Sequence, residues 1–149
     1  MSALCRRAAL RFLKIRPRSI GELRSKLEIK GFEVKAINET VQWLEDHKLV
    51  DDRAFTKSWI QYRLARPFGF RRIIAELKTK GISEEIILEA VAKAQEEYSQ
   101  EEAVMEVAKR RWERFASVDP QKRKKRIYDF LLRRGFSMGE VIKAIKKLC

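Results

Sequence analysis

Apolar residues recur along this chain at helical rather than strand spacing, and the same arrangement comes round three times. A basic–Gly–apolar triplet anchors each occurrence: Lys30-Gly31-Phe32, Lys80-Gly81-Ile82 and Arg134-Gly135-Phe136. Four residues before each glycine stands Leu27, Leu77 or Leu131, and eight before stands Leu23, Ile73 or Ile127. Six after it comes Ile37, Ile87 or Val141, and ten after it Val41, Val91 or Ile145. A proline (Pro17, Pro67, Pro120) precedes each glycine by 14 or 15 residues, and an aromatic (Phe12, Tyr62, Phe115) stands five residues before each proline. The glycines are 50 and 54 residues apart, so the chain reads as three copies of one unit.

Turn chemistry sets the helix limits within each unit. A glycine after a helical run takes the left-handed conformation that closes the helix, and the next residue then packs on the one four before the glycine. This predicts contacts of Phe32 with Leu27, Ile82 with Leu77 and Phe136 with Leu131. Ser19 with Glu22 and Ser137 with Glu140 have capping-box spacing, Asp119-Pro120 gives an N-cap followed by proline, and Ser83 precedes Glu84 and Glu85. Helices are predicted over 3–15, 19–30 and 34–48; 52–65, 70–80 and 83–97; and 100–116, 120–134 and 137–147. The expected fold is all-α, a tandem array of three-helix repeats at 1–50, 51–98 and 99–149, elongated and curved as stacked repeats tend to be. Asp51-Asp52 precedes the periodic run Phe55, Trp59, Tyr62. Trp43, Trp59, Tyr62, Trp112 and Phe115 are conceivable base-stacking platforms, but Trp59, Tyr62, Trp112 and Phe115 fall on apolar faces and are expected in the core. Phe68 and Phe70 flank Gly69 in a loop and are expected to be exposed.

Composition narrows the chemistry. The chain has 149 residues, 45% apolar and 37% charged, the latter well above the usual quarter. No apolar run approaches the ~18–20 residues of a membrane span. Two cysteines near opposite ends, Cys5 and Cys149, make no disulfide scaffold, and with one histidine, His47, they cannot assemble a zinc site. No glycine-rich phosphate loop is present. Asp51-Asp52 reads as a helix start rather than a metal pair, and His47 as a surface residue near a helix end. No nucleophile–base pair can be assembled, so the expectation is a soluble, intracellular, non-enzymatic protein without a cofactor. Residues 1–21 hold no acid and could pass for an organelle transit peptide, but the repeat claims them as a basic first helix.

Charge then adds direction. Thirty-four Lys and Arg against 21 Asp and Glu leave a net +13. It alternates in step with the repeat: +7 over 1–30, −4 over 31–52, +7 over 53–81, −7 over 82–106 and +10 over 107–149. Basic stripes suit a phosphate backbone, and acidic ones repel it. Alternation therefore fits a partner made of protein and nucleic acid together. The densest patch, Lys122, Arg123, Lys124, Lys125 and Arg126, followed by Arg133 and Arg134, suits backbone electrostatics and has no base-reading signature.

Four segments in order resemble the RecX regulatory proteins: Arg18-Ser19-x-x-Glu22-Leu23-x-x-Lys26-Leu27; Leu49-Val50-Asp51-Asp52-Arg53-x-Phe55; Gly69-x-Arg71-Arg72-Ile73-x-x-Glu76-Leu77-x-x-Lys80-Gly81-Ile82; and Arg126-x-Tyr128-x-Phe130-Leu131-x-Arg133-Arg134-Gly135-Phe136-Ser137. The resemblance spans essentially the whole chain. It implies a cytoplasmic, cofactor-free protein that lodges in the groove of the RecA recombinase filament on single-stranded DNA, where it would suppress ATP hydrolysis, strand exchange and co-protease function. The resemblance carries over as basic contact positions Arg18, Arg24, Lys26, Arg66, Arg71, Arg72, Lys78, Arg126, Arg133 and Arg134. Separately, the protein is expected to be a monomer and to bind duplex DNA as well, without sequence preference. Pro67-Phe68 makes one loop more apolar than the family's pattern. Two other readings stay open: a stand-alone, non-specific DNA-binding helical module, and a helical scaffold that binds protein alone.

Overall fold

In the computed structural model, which describes residues 2–148, the three repeat glycines take positive φ: +91° at Gly31, +77° at Gly81 and +96° at Gly135. Each closes its helix with two backbone hydrogen bonds. Phe32, Ile82 and Phe136 donate their N–H to Leu27, Leu77 and Leu131, all at 3.2 Å, while each glycine N–H reaches the carbonyl three residues back. A fourth helix ends the same way without glycine. Lys48 stands at φ +56°, Leu49 N–H donates to the Leu44 carbonyl at 2.9 Å, and Lys48 N–H donates to that of Glu45 at 3.0 Å.

Nine helices are found among the described residues, and no strand: α1 (Ala3–Ile15), α2 (Ile20–Ile29), α3 (Val34–Asp46), α4 (Asp52–Leu64), α5 (Phe70–Thr79), α6 (Glu84–Glu97), α7 (Gln100–Arg114), α8 (Pro120–Arg133) and α9 (Met138–Leu148). Their starts use the foreseen caps. Ser19 and Glu22 form a reciprocal capping box, Ser137 and Glu140 bond each other's backbone N–H, and Asp119 caps α8 ahead of Pro120. Ser99 caps α7 through the Glu102 N–H, at the same Ser-x-x-Glu spacing. Asp51 accepts from the N–H groups of Arg53 and Ala54, as a capping acid does.

The chain divides into two compact units, Met1–Ser58 with Leu77–Leu88, and Trp59–Glu76 with Glu89–Cys149. In the first, α1, α2 and α3 close around Cys5, Ala9, Leu23, Leu27, Ile37, Val41, Leu44 and Val50. In the second, α7, α8 and α9 close around residues that include Val104, Ala108, Ile127, Leu131, Phe136 and Val141.

Two expectations about aromatics are corrected. The deepest positions of α4 are Thr56 and Ile60, one residue out of phase with the run Phe55, Trp59, Tyr62. Phe55 and Trp59 flank that line and are half-buried, and Tyr62 is left 47% exposed. Phe68 and Phe70 are buried at 7% and 5% exposure, because a ring in this loop has guanidinium groups and Tyr98 to pack on.

Each unit also contains a close backbone approach between successive repeats. In the first, the Ser19 hydroxyl donates to the Lys80 carbonyl (2.6 Å), and Ile20 N–H donates to Asp52 Oδ1 (2.9 Å). A Cβ on Gly21 would lie 2.7 Å from the Lys80 carbonyl oxygen. In the second, Gly69 N–H donates to the Arg134 carbonyl (2.8 Å), Arg71 N–H to that of Gly135 (3.2 Å) and Phe70 N–H to Gln100 Oε1 (3.2 Å). A Cβ on Gly69 would overlap the Gly135 carbonyl. At the start of α5 the N–H groups of Phe70 and Arg71 are thus satisfied by the following repeat, whereas at α2 the Ile20 N–H is satisfied that way and the Glu22 N–H by Ser19 of its own repeat.

Gly69→Ala is expected to lower unfolding stability by about 3 kcal/mol, since backbone on both sides must move. Lys48→Gly is expected to raise it by roughly 0.5–1 kcal/mol, because glycine carries no left-handed penalty there but has more unfolded-state entropy to lose. Urea unfolding followed by circular dichroism reads both.

Candidate nucleic-acid interface

Residues 53–81 hold eight bases and a single acid, Glu76. In the second unit the contact of Gly69 with Gly135 turns that imbalance into a cluster. It joins the end of α4, with Arg63 and Arg66, to the first turn of α5, with Arg71 and Arg72, and to the end of α8, with Arg133 and Arg134.

Phe68 lies at the centre. The guanidinium carbons of Arg134, Arg72 and Arg63 stand 4.1, 4.6 and 4.7 Å from its ring centroid. Attraction of cations to the ring face explains why this loop aromatic is buried. Backbone oxygens hold the arginines in place. Arg134 donates to the carbonyls of Arg66 (2.8 Å) and Pro67 (3.3 Å), and Arg72 to that of Arg133 (3.2 Å). Phe130 extends the array, with Arg111 3.7 Å and Arg134 5.5 Å from its centroid.

Only Glu76 offsets these charges among the cluster's contacts. It accepts two bonds from Arg63 (2.9 and 2.6 Å), one from Trp59 Nε1 (3.3 Å), and lies 3.8 Å from Arg72. Burial lowers the affinity of the Arg134 guanidinium for its proton below the ordinary arginine value, and repulsion from Arg72, Arg111 and Arg63 lowers it further. Carbonyl oxygens orient guanidinium groups without cancelling their charge, so the cluster is left in electrostatic excess and suited to an anion. Arg66, Arg71 and Arg133 are exposed, with no hydrogen bond or ion pair from their side chains among the described residues.

The other expected contact positions are placed variously. Arg18 is turned inward, 8% exposed, with Nε donating to the Phe12 carbonyl at 3.2 Å. Burial, then the charge of Arg16, lowers its pKa against the opposing pull of Glu22. Arg24 is half-buried and bonds Asn38 Oδ1 at 2.6 Å. Lys26 is exposed beside Phe12, and Lys78 is exposed. In the α8 patch, Arg123 is an anchor rather than a free charge. It donates from Nε (2.8 Å) and Nη2 to the Trp112 carbonyl and stacks 3.6 Å from that indole's centroid. Lys122, Lys125 and Arg126 are exposed and Lys124 half-buried, with Arg126 5.8 Å from the Phe115 ring.

Arg63, Arg111 and Glu76 are members of the cluster that sequence reasoning missed. A lone acid among eight bases was the available signal for Glu76, whereas the Arg63 and Arg111 stacks rest on tertiary contacts. Among the described residues no group of three metal-ligating side chains occurs. His47 is exposed, with Nδ1 2.8 Å from the Trp43 carbonyl; Cys5 is buried, and Cys149 lies outside the described residues. No helix of the described residues is long and apolar enough to cross a membrane.

Glu76→Gln leaves the guanidinium groups without their carboxylate. The expected cost is about 1–3 kcal/mol, between that of an exposed pair and that of a fully buried one, because both partners keep some solvent contact. Raising salt should shrink the loss, which denaturant melts at two ionic strengths will show.

Three models of one family match the chain in order: RecX first three-helix domain at residues 5–44, second at 51–91 and third at 99–145. The chain is 34% identical over 139 residues to "Regulatory protein RecX" of Chlorobaculum tepidum, covering 93% of this chain and 84% of that one. It is 32% identical over 141 residues to the protein of the same name from Pelodictyon phaeoclathratiforme, covering 94% and 86%. The crystal structure of RecX from Lactobacillus salivarius shares the fold, with a TM-score of 0.82 at 24% identity over 98% of this chain and 95% of that one. With all three helical domains matched in order and two relatives above 30% identity across most of both chains, this protein belongs to the RecX family of non-enzymatic regulatory proteins.

Proposed function

We propose that this protein binds the RecA filament on single-stranded DNA in the cytoplasm and modulates it, chiefly by inhibition of ATP hydrolysis, strand exchange and co-protease activity. The observation that carries the reading is the arginine cluster around Phe68, oriented by backbone carbonyls and offset by one carboxylate, in a chain of this family. The fixed arginines hold the positive field in place while the exposed ones beside them remain available to phosphate oxygens, and phosphate contacts position a protein on nucleic acid without reading its sequence. Arg66, Arg71, Arg72 and Arg133, with Lys26, Lys78, Lys122, Lys125 and Arg126, are the exposed positions that meet phosphate or filament. The acidic segments 31–52 and 82–106 repel DNA and face basic protein surface instead.

RecA's single-strand-dependent ATPase, measured with increasing amounts of this protein, is expected to fall as the protein approaches RecA stoichiometry. An unchanged rate at and above equimolar protein overturns the reading. DNA binding without any effect on RecA would then point to a stand-alone module, and neither effect to a scaffold for protein alone.

A further inference from the structure

Among the described residues, Tyr62 is the Phe, Tyr or Trp side chain that the fold leaves exposed. Its neighbours on α4 are drawn inward: Ile60 is 2% exposed, and Trp59 is half-buried with Nε1 bonded to Glu76 at 3.3 Å. Tyr62 keeps 47% of its surface open. The Arg66 guanidinium stands 4.7 Å from its ring centroid and that of Arg63 5.8 Å. The Trp59 ring is 5.9 Å away and tilted by 42°. An aromatic ring is thus held at the margin of the arginine cluster, backed by a guanidinium and an anchored indole, with the rest of its surface towards solvent.

That arrangement matches the chemistry of an unpaired nucleotide. A base stacks on an aromatic face whatever its identity, and cationic groups beside the ring hold the adjoining phosphates. A base within a duplex is already stacked on its neighbours and offers no face to a side chain. Arg66, Arg71 and Arg133 lie in the same cluster, exposed and with no hydrogen bond or ion pair from their side chains among the described residues. We propose that Tyr62 is a stacking platform for an unpaired nucleobase, with the arginines around it holding the flanking phosphates, so that this cluster prefers single strands to duplex. The proposal rests on the nucleic-acid reading of the cluster and adds to it the source of strand selectivity.

The test uses the full-length protein with two probes of equal phosphate number, an oligodeoxythymidylate and a hairpin duplex, followed by fluorescence anisotropy. Tyr62→Ala is expected to weaken binding to the single strand by about 5- to 100-fold, while Tyr62→Phe and all duplex affinities stay within about twofold. A third probe replaces alternate thymidines by abasic sites. The native protein should lose on it what Tyr62→Ala loses on the intact strand, and Tyr62→Ala should be indifferent to the change. Equal binding of native and Tyr62→Ala protein to the single strand overturns the stacking proposal and leaves the phosphate reading in place, as does an equal loss on strand and duplex. A native protein that binds neither probe removes the nucleic-acid reading and the stacking proposal with it. Because Tyr62 is exposed, thermal melts of Tyr62→Ala should match the native protein, which separates lost stacking from lost fold.

Discussion

A helix start seated on the glycine turn of the next repeat is the contact on which the site depends. Hydrogen bonds from the N–H groups of Gly69, just before α5, and of Arg71 in its first turn to the carbonyls of Arg134 and Gly135 bring two backbones to a separation that no side chain permits. Gly21 against Lys80 and Gly81 repeats the device in the first unit. The positive φ of the glycine turn presents its carbonyls outward, and the missing Cβ on the facing helix lets them be reached. Two glycine requirements that look independent in sequence are therefore parts of one contact.

Placement of charge follows from that seat. The turn that ends α8 carries Arg133 and Arg134, and the helix it supports begins with Arg71 and Arg72, so the seat gathers cations by construction. Repulsion among them is offset by Phe68, by the carbonyls of Arg66, Pro67 and Arg133, and by Glu76. None of these except Glu76 carries negative charge. The excess that remains is what the proposed phosphate contact would relieve.

The repeat, the glycine closures, the principal caps and the nine helix spans were legible in the sequence because each rests on local chemistry within a few residues. Lys48 escaped because it does a glycine's work without being glycine. The burial of Phe68 and the inward turn of Arg18 escaped for another reason: a loop aromatic or a basic residue goes where its tertiary partners are, and those partners come from other elements. Tyr62 was misplaced by a phase error of one residue on α4, where Thr56 and Ile60 rather than Phe55 and Trp59 occupy the deepest line. The exposed basic positions were found by charge alone, but which of them share a cluster required the seat between Gly69 and Gly135.

The central claim is that the seat presents its arginines to phosphate, and the salt dependence of binding to a single-stranded oligonucleotide tests it most directly. Neutralising Arg66, Arg71 and Arg133 together to glutamine leaves the internal bonds of Arg63, Arg72 and Arg134 in place. The slope of log affinity against log salt is predicted to become shallower by about 0.7 for each phosphate no longer neutralised, or roughly 2 in all. A triple variant whose affinity and slope superimpose on those of the native protein would contradict the account.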